Sequence, residues 1–233
     1  MISILVLGFL IGMRHALDAD HLAAVATMAT RHRGVRSAAW RGAVWGLGHT
    51  LTLFVIGGVC LLLNAEMPAP LVRAADVAVG AMLVLLGAEV FWRMRRQGVH
   101  VHAHAHDDGV VHIHAHAHPP DTGHDADDAH RHRHRDRFPR RALVVGLVHG
   151  MAGSAALLLV TLHATGSLWL GLAYIGVFGI GSIQGMAVLS SMLAIPLNVS
   201  TGLLERLHVG LQVGIGTFTI ALGLWMLVQA AGS

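Results

Sequence analysis

Six apolar stretches run along the chain, at about residues 2–29, 38–63, 72–92, 142–162, 168–194 and 208–230. A helix that crosses the ~30 Å hydrocarbon core of a bilayer needs ~20 mostly apolar residues, and each stretch has them. The first reaches that length only by running through a polar octet, Arg14-His15-Ala16-Leu17-Asp18-Ala19-Asp20-His21, set between the apolar runs Ile2 to Met13 and Leu22 to Met28. The pattern predicts an all-α, polytopic membrane protein with six transmembrane helices. In that arrangement the octet lies near the middle of the bilayer, where ionisable groups are expensive and mostly line a substrate or ion path. The plainer alternative is an amphipathic helix end at the interface.

Composition supports the membrane reading. The 233 residues are 54% hydrophobic and only 12% charged, against about 25% charged in a soluble domain. A sequence pI near 10.4 would suit a nucleic-acid binder, but the arginines cluster in short connections between apolar runs, which is a topology signal, and no nucleic acid is expected as a partner. Cys60 is the single cysteine, so no internal disulfide and no cysteine-based metal site is available. No basic segment precedes the first apolar stretch, so a cleaved signal peptide is not expected.

Arginine placement sets the orientation. Arg31, Arg33, Arg36 and Arg41 crowd the first connection, Arg93, Arg95, Arg96 and the Arg131–Arg141 cluster the third, and Arg206 lies in the fifth. The second ends at Arg73 alone, and the fourth, His163 to Ser167, has no Lys or Arg. The positive-inside rule then places the odd-numbered connections in the cytoplasm and both termini outside, in the cytoplasmic membrane.

The two halves also resemble each other. Gly12-Met13-Arg14-His15 matches Gly146-Leu147-Val148-His149, Gly46-Leu47-Gly48-His49 matches Gly179-Ile180-Gly181-Ser182, and Gly80 and Gly87 match Gly216 and Gly223 at the same spacing. Three spans per copy make the copies inverted, an arrangement found in secondary transporters with a midplane site on interrupted helices. The expected organisation is a first three-helix repeat over 1–96, a cytoplasmic loop over 97–141 and a second repeat over 142–233. Most of the 28 glycines are expected simply to let helices approach closely.

Two imidazoles and two carboxylates within the octet are good ligands for a divalent transition metal. At ~100° per residue on a straight helix, His15, Asp18 and His21 share an arc of roughly 120°, while Asp20 points about 140° away from His15. If Asp20 is a ligand, the helix must break here, and unwound backbone at this depth is tolerated only where it lines a cavity. His49, inside span two, is the next candidate. His149, the counterpart of His15, follows it. Interhelical hydrogen bonding alone is the competing role for both. Glu89 is expected to pair with an arginine such as Arg14 or Arg41, and His32, His163 and His208 to be solvated at span ends.

The octet, with its His15-x4-Asp20-His21 spacing, strongly resembles the signature of the nickel/cobalt transporter (NiCoT) family, and Gly46-Leu47-Gly48-His49-Thr50 resembles that family's Leu-Gly-His-Ser/Thr motif. The second half departs from it. His149-Gly150-Met151-Ala152-Gly153-Ser154-Ala155 stands where these permeases carry an acidic Asp-Thr-Ala-Thr-Glu-like stretch, and Gly185-Met186 is followed by Ser190 and Ser191 instead of an aspartate. That half resembles the shorter UreH-like branch, associated with nickel supply to nickel enzymes. The resemblance implies that His15, Asp20, His21 and His49 are metal-site residues, and leaves the metal and the energy coupling open.

The loop is the second distinctive feature. It holds His100, His102, His104, His106, His112, His114, His116, His118, His124, His130, His132 and His134, with Asp107, Asp108, Asp121, Asp125, Asp127 and Asp128 among them. Composition of this kind cannot build a core and predicts disorder without ligand. Imidazoles bind Ni²⁺, Co²⁺, Cu²⁺ and Zn²⁺ with little discrimination, so the loop is read as a cytoplasmic metal buffer or delivery antenna.

These readings converge on a secondary transporter that moves Ni²⁺, with Co²⁺ as a second ion, across the cytoplasmic membrane, in the direction of uptake. Its metal residues are expected among His15, Asp18, Asp20, His21, His49 and His149; the ion is cargo, and no cofactor is expected. Cytoplasmic nickel chaperones are candidate partners. An exporter is the main rival, since the same loop would collect ions for expulsion. A membrane metalloenzyme is the weaker one, because dinuclear carboxylate enzymes draw several glutamates from different helices, and few acidic residues, Asp18, Asp20 and Glu89 among them, fall within these spans.

Overall fold

The computed structural model describes residues 2–30, 34–96, 100–105, 111–116, 138–152, 167–198 and 205–232. They form seven helices and one hairpin: α1 (Ile2–His15), α2 (Ala19–Ala29), α3 (Val35–Leu63), α4 (Ala69–Arg96), β1 (His100–Ala105), β2 (Val111–His116), α5 (Arg140–His149), α6 (Leu168–Asn198) and α7 (Glu205–Gly232). Four apolar helices are long enough to cross a bilayer, over Val35–Leu63, Ala69–Arg96, Leu168–Ile195 and Val209–Gly232. α1 and α2 pass the same test only together, and they meet at a bend of 55°. The chain is thus a polytopic helical membrane protein. The fourth expected span, 142–162, begins as α5, and its remainder beyond Ala152 lies outside the described residues, as do His32, His163 and half of the loop histidines.

Local chemistry marks the helix ends. Asn64 takes the left-handed conformation (φ 46°) after α3, and the N–H of Ala65 returns to the carbonyl of Cys60 at 3.0 Å, which satisfies carbonyls that the helix end leaves open. Pro68 and Pro70 open α4, where a missing N–H costs nothing, and Arg93, Arg95 and Arg96 sit in its last turn, where cations complement the helix dipole.

α6 lies between α1 and α3, and α3 also packs against α5; α4 pairs with α7, and α2 touches α4, α6 and α7. The contacts come in reciprocal pairs. A β-carbon on Gly12 would run into the Phe178 carbonyl, and one on Gly146 into the Trp45 carbonyl. Gly48 lies against Leu143 and Leu147, and Gly181 against Phe9 and Met13. Gly80 faces Gly223, and Gly87 faces Gly216. Most of the glycines matched in sequence are therefore where backbone approaches backbone, the use that small residues have between membrane helices, while Gly179 and Gly216 make room for the side chains of Thr50 and Phe91.

Trp45, Val25, Val79, Leu83 and Met186 belong to one buried cluster. Leu62, Leu85, Met192 and Val228 are among the many large apolar side chains left on the outside. Lipid solvates such a surface, whereas water-soluble monomers rarely expose large contiguous apolar patches.

Two details depart from the sequence expectations. Glu89 does pair with an arginine, and that arginine is Arg141: Nη1 donates to Oε1 at 3.0 Å and Nη2 to Oε2. The packing of α5 beside α4 brings together residues 52 positions apart, which no local pattern could indicate. The loop, expected to be without structure, carries an antiparallel hairpin in which His100, His102 and His104 stand opposite His116, His114 and His112. Its histidines alternate with apolar residues, the period of a strand.

Candidate metal centre

The break between α1 and α2 is built from the octet. α1 closes with tight turns, the N–H of Leu17 bonding Arg14 O at 2.9 Å and that of Asp18 bonding His15 O at 3.1 Å. Asp18 is extended (φ −62°, ψ 148°) and caps α2 without a side-chain cap bond. Its carboxylate, which at such a position ordinarily accepts from the first-turn amides, instead accepts from His15 Nδ1 at 2.8 Å. Asp20 lies in the first turn of α2 and takes one free amide there, from His21 N at 2.9 Å; a carboxylate is favoured at the positive end of a helix.

Asp20 also ties α2 to α5. Its Oδ1 accepts from His21 Nδ1 at 2.9 Å, and its Oδ2 accepts from His149 Nε2 at 2.9 Å. His149 ends α5 as His15 ends α1. His49 enters from α3, and His21, His49 and His149 are fully buried. Ring centroids lie 4.4 Å apart for His15 and His21, 5.2 Å for His15 and His49, 5.1 Å for His21 and His49, and 4.2 Å for His21 and His149.

All six residues expected from sequence are therefore gathered at the break, five of them in two sets that share His21. His15, His21 and His49 each place one ligand atom within 4.8 Å of the others, and so do Asp20, His21 and His149. Asp18 stands at the edge, with 55% of its side chain exposed against 26% for Asp20. In a neutral imidazole one nitrogen donates and the other keeps a lone pair. With Nδ1–H held by a carboxylate, His21 has its lone pair on Nε2, and among the described residues that atom, both nitrogens of His49 and Nδ1 of His149 are buried without a hydrogen-bond partner. Buried polar atoms left open in this way cost about 1–3 kcal/mol each, a cost that a bound cation would remove. Imidazoles with carboxylates behind them are the usual surroundings of a transition metal.

Sequence reasoning missed the walls of the site. The ring of Trp45 lies 5.4 Å from that of His21 and 5.5 Å from that of His149, and Phe178 lies 5.4 Å from His15. Trp45 was findable, because it precedes His49 by four residues and so shares its helix face. Phe178 had no such signal. Ser182, matched to His49 in the repeat, is buried and donates to Gly12 O at 3.2 Å, so in the second half a helix contact occupies the matching place.

No family model matches the chain, and no solved structure matches it. It is 30% identical over 200 residues to the urease accessory protein UreH of Bacillus sp. (strain TB-90), an alignment that covers 86% of this chain and 80% of that protein. With a polar octet at the break of a bent helix pair and a relative of this extent, the chain belongs to the UreH-like branch of the nickel/cobalt transporter family.

Proposed function

We propose that this protein moves Ni²⁺, with Co²⁺ as a second ion, across the cytoplasmic membrane in the direction of uptake, through a midplane site made by His15, Asp20, His21 and His49, with His149 and Asp18 beside it. One observation carries the reading: imidazoles from four helical elements, three of them fully buried, converge with the half-buried Asp20 carboxylate at the interruption of a bent helix pair. Ionisable groups at that depth mark ion paths. Imidazole lone pairs give affinity for a late first-row divalent ion, and the carboxylate offsets part of its charge where the dielectric is low.

The six spans are read as two inverted three-helix repeats that rock against each other. The reciprocal glycine contacts support this, since each repeat meets the other through matching positions. By the arginine count the termini lie outside and the histidine loop faces the cytoplasm, where it buffers arriving metal for nickel chaperones. An exporter would use the same loop to gather ions, and accumulation in intact cells separates the two: uptake raises cellular nickel, export lowers it.

The test is radioactive nickel flux into proteoliposomes. Saturable flux should appear, inhibited by Co²⁺ and little affected by Mg²⁺ or Ca²⁺, which prefer oxygen ligands. No flux from correctly inserted protein would sink the proposal. Deleting Val99 to Arg135 should leave flux at saturating nickel but lower retention or uptake when metal is scarce. Complete loss of flux in a correctly inserted deletion variant would make the loop part of the pathway itself.

A further inference from the structure

We infer that the ion passes through two overlapping stations that share His21: a first made by His15, His21 and His49, and a second made by Asp20, His21 and His149. This rests on the transporter reading of the same residues and adds an order of events to it. The two convergent sets have only His21 in common, and the widest measured ring separation spans them, 6.1 Å between His49 and His149. Each set needs to close by no more than about 1.4 Å, since its ligand atoms lie within 4.8 Å of one another and tetrahedral ligand atoms at a bond length of roughly 2.1 Å sit roughly 3.4 Å apart.

His21 makes the stations mutually exclusive. A neutral imidazole has one lone pair. With its hydrogen on Nδ1, facing Asp20, His21 presents Nε2, the buried open nitrogen, to His15 and His49. With the hydrogen moved to Nε2 it presents Nδ1 to Asp20 and His149, and the total charge of the site is unchanged by the move. Asp20 accepts hydrogen bonds from both His21 and His149, which keeps those ligands gathered.

The helix order gives the stations opposite faces. His15 ends α1, which starts at the N-terminal end of the described chain, and His149 ends α5, which starts at Arg140 and Arg141 in the arginine-rich connection. In the proposed topology these helices reach the site from opposite sides of the membrane, so the first station opens outward and the second towards the cytoplasm. The histidine at the end of the second half's first helix is thus the exit ligand.

The experiment uses the full chain in detergent and in proteoliposomes, with Co²⁺ as the spectroscopic probe and Cys60→Ser as background. His149→Gln retains a hydrogen-bonding side chain beside Asp20. It should bind Co²⁺ within about threefold of the parent yet lose more than about tenfold in flux, a scale set by what ligand-supporting partners contribute to metal sites. In a His15→Gln background, which disables the first station, His149→Cys should give a thiolate-to-Co²⁺ charge-transfer band, which a purely structural role for position 149 would not produce. Normal flux in His149→Gln, or no such band in a monodisperse double variant, overturns the inference. Loss of Co²⁺ binding in His149→Gln as complete as in His21→Gln would mean one undivided centre, which also overturns it while leaving the metal site standing. Unchanged Co²⁺ binding in His21→Gln would instead remove the metal-site reading on which it rests.

Discussion

His21→Ala should abolish nickel flux while leaving a correctly inserted, monodisperse protein. His21 is the one side chain in both convergent sets, so its removal leaves neither with three ligands. Flux at subsaturating nickel should fall by more than about a hundredfold, beyond the ~10–100-fold that supporting partners of metal ligands typically cost. His21 Nε2 is buried without a hydrogen-bond partner, so the fold does not depend on that atom. Asp20→Asn should fail as well. The carboxylate accepts from His21 and His149 at once, whereas an amide has a single acceptor oxygen and no charge to set against a divalent ion. Asp18→Ala should be milder, about tenfold at most, because Asp18 is largely exposed and steadies His15 through one bond. Proteoliposome flux with an insertion control measures all three. Loss at Asp18 with tolerance at Asp20 would reverse the roles assigned to the two carboxylates, and near-normal flux in His21→Ala would end the metal-site reading.

The second large effect lies in the packing that holds the site together. Gly146→Val should destabilise the protein by at least about 1–3 kcal/mol, the usual cost of forcing carbon into a filled interior, and should reduce the yield of monodisperse protein in detergent. A β-carbon at Gly146 meets the Trp45 carbonyl and lies 3.0 Å from His49 N. Both neighbours are backbone, which cannot swing aside as a side-chain end does. The α3–α5 contact must then open, and it is this contact that sets His149 near His49. Gly12→Val should act similarly, against the Phe178 carbonyl and Ser182 N. Gly176 is the control: nothing lies within 4 Å of a β-carbon there, so Gly176→Ala should leave thermal unfolding in detergent unchanged. Equal unfolding temperatures for Gly146→Val and Gly176→Ala would mean that the glycine-mediated crossing does not hold the bundle.

Hydropathy by itself determined that this chain is a helical membrane protein, because lipid demands ~20 apolar residues per crossing and internally satisfied backbone. Four long helices and the bent α1–α2 pair follow that rule. The octet's spacing also made a break the condition for Asp20 to join the histidines: on a straight helix Asp20 points away from His15, and the chain instead unwinds at residues 16–18, with both aspartates hydrogen-bonded to a histidine. These features were legible because each depends on neighbours in sequence. What only the tertiary structure decided is which distant residues meet. Asp20 with His149 and Glu89 with Arg141 are separated by 129 and 52 positions, and their pairing is set by which helix faces pack, a matter of shape that leaves no periodic trace in the chain. The same holds for Phe178 beside His15 and for the division of five of the six polar residues into two sets. Sequence supplied the residue types; the packing of α6 on α1 and α3, and of α5 on α3, through glycine contacts determined which of them meet, because close backbone approach brings several helical elements within reach of one imidazole.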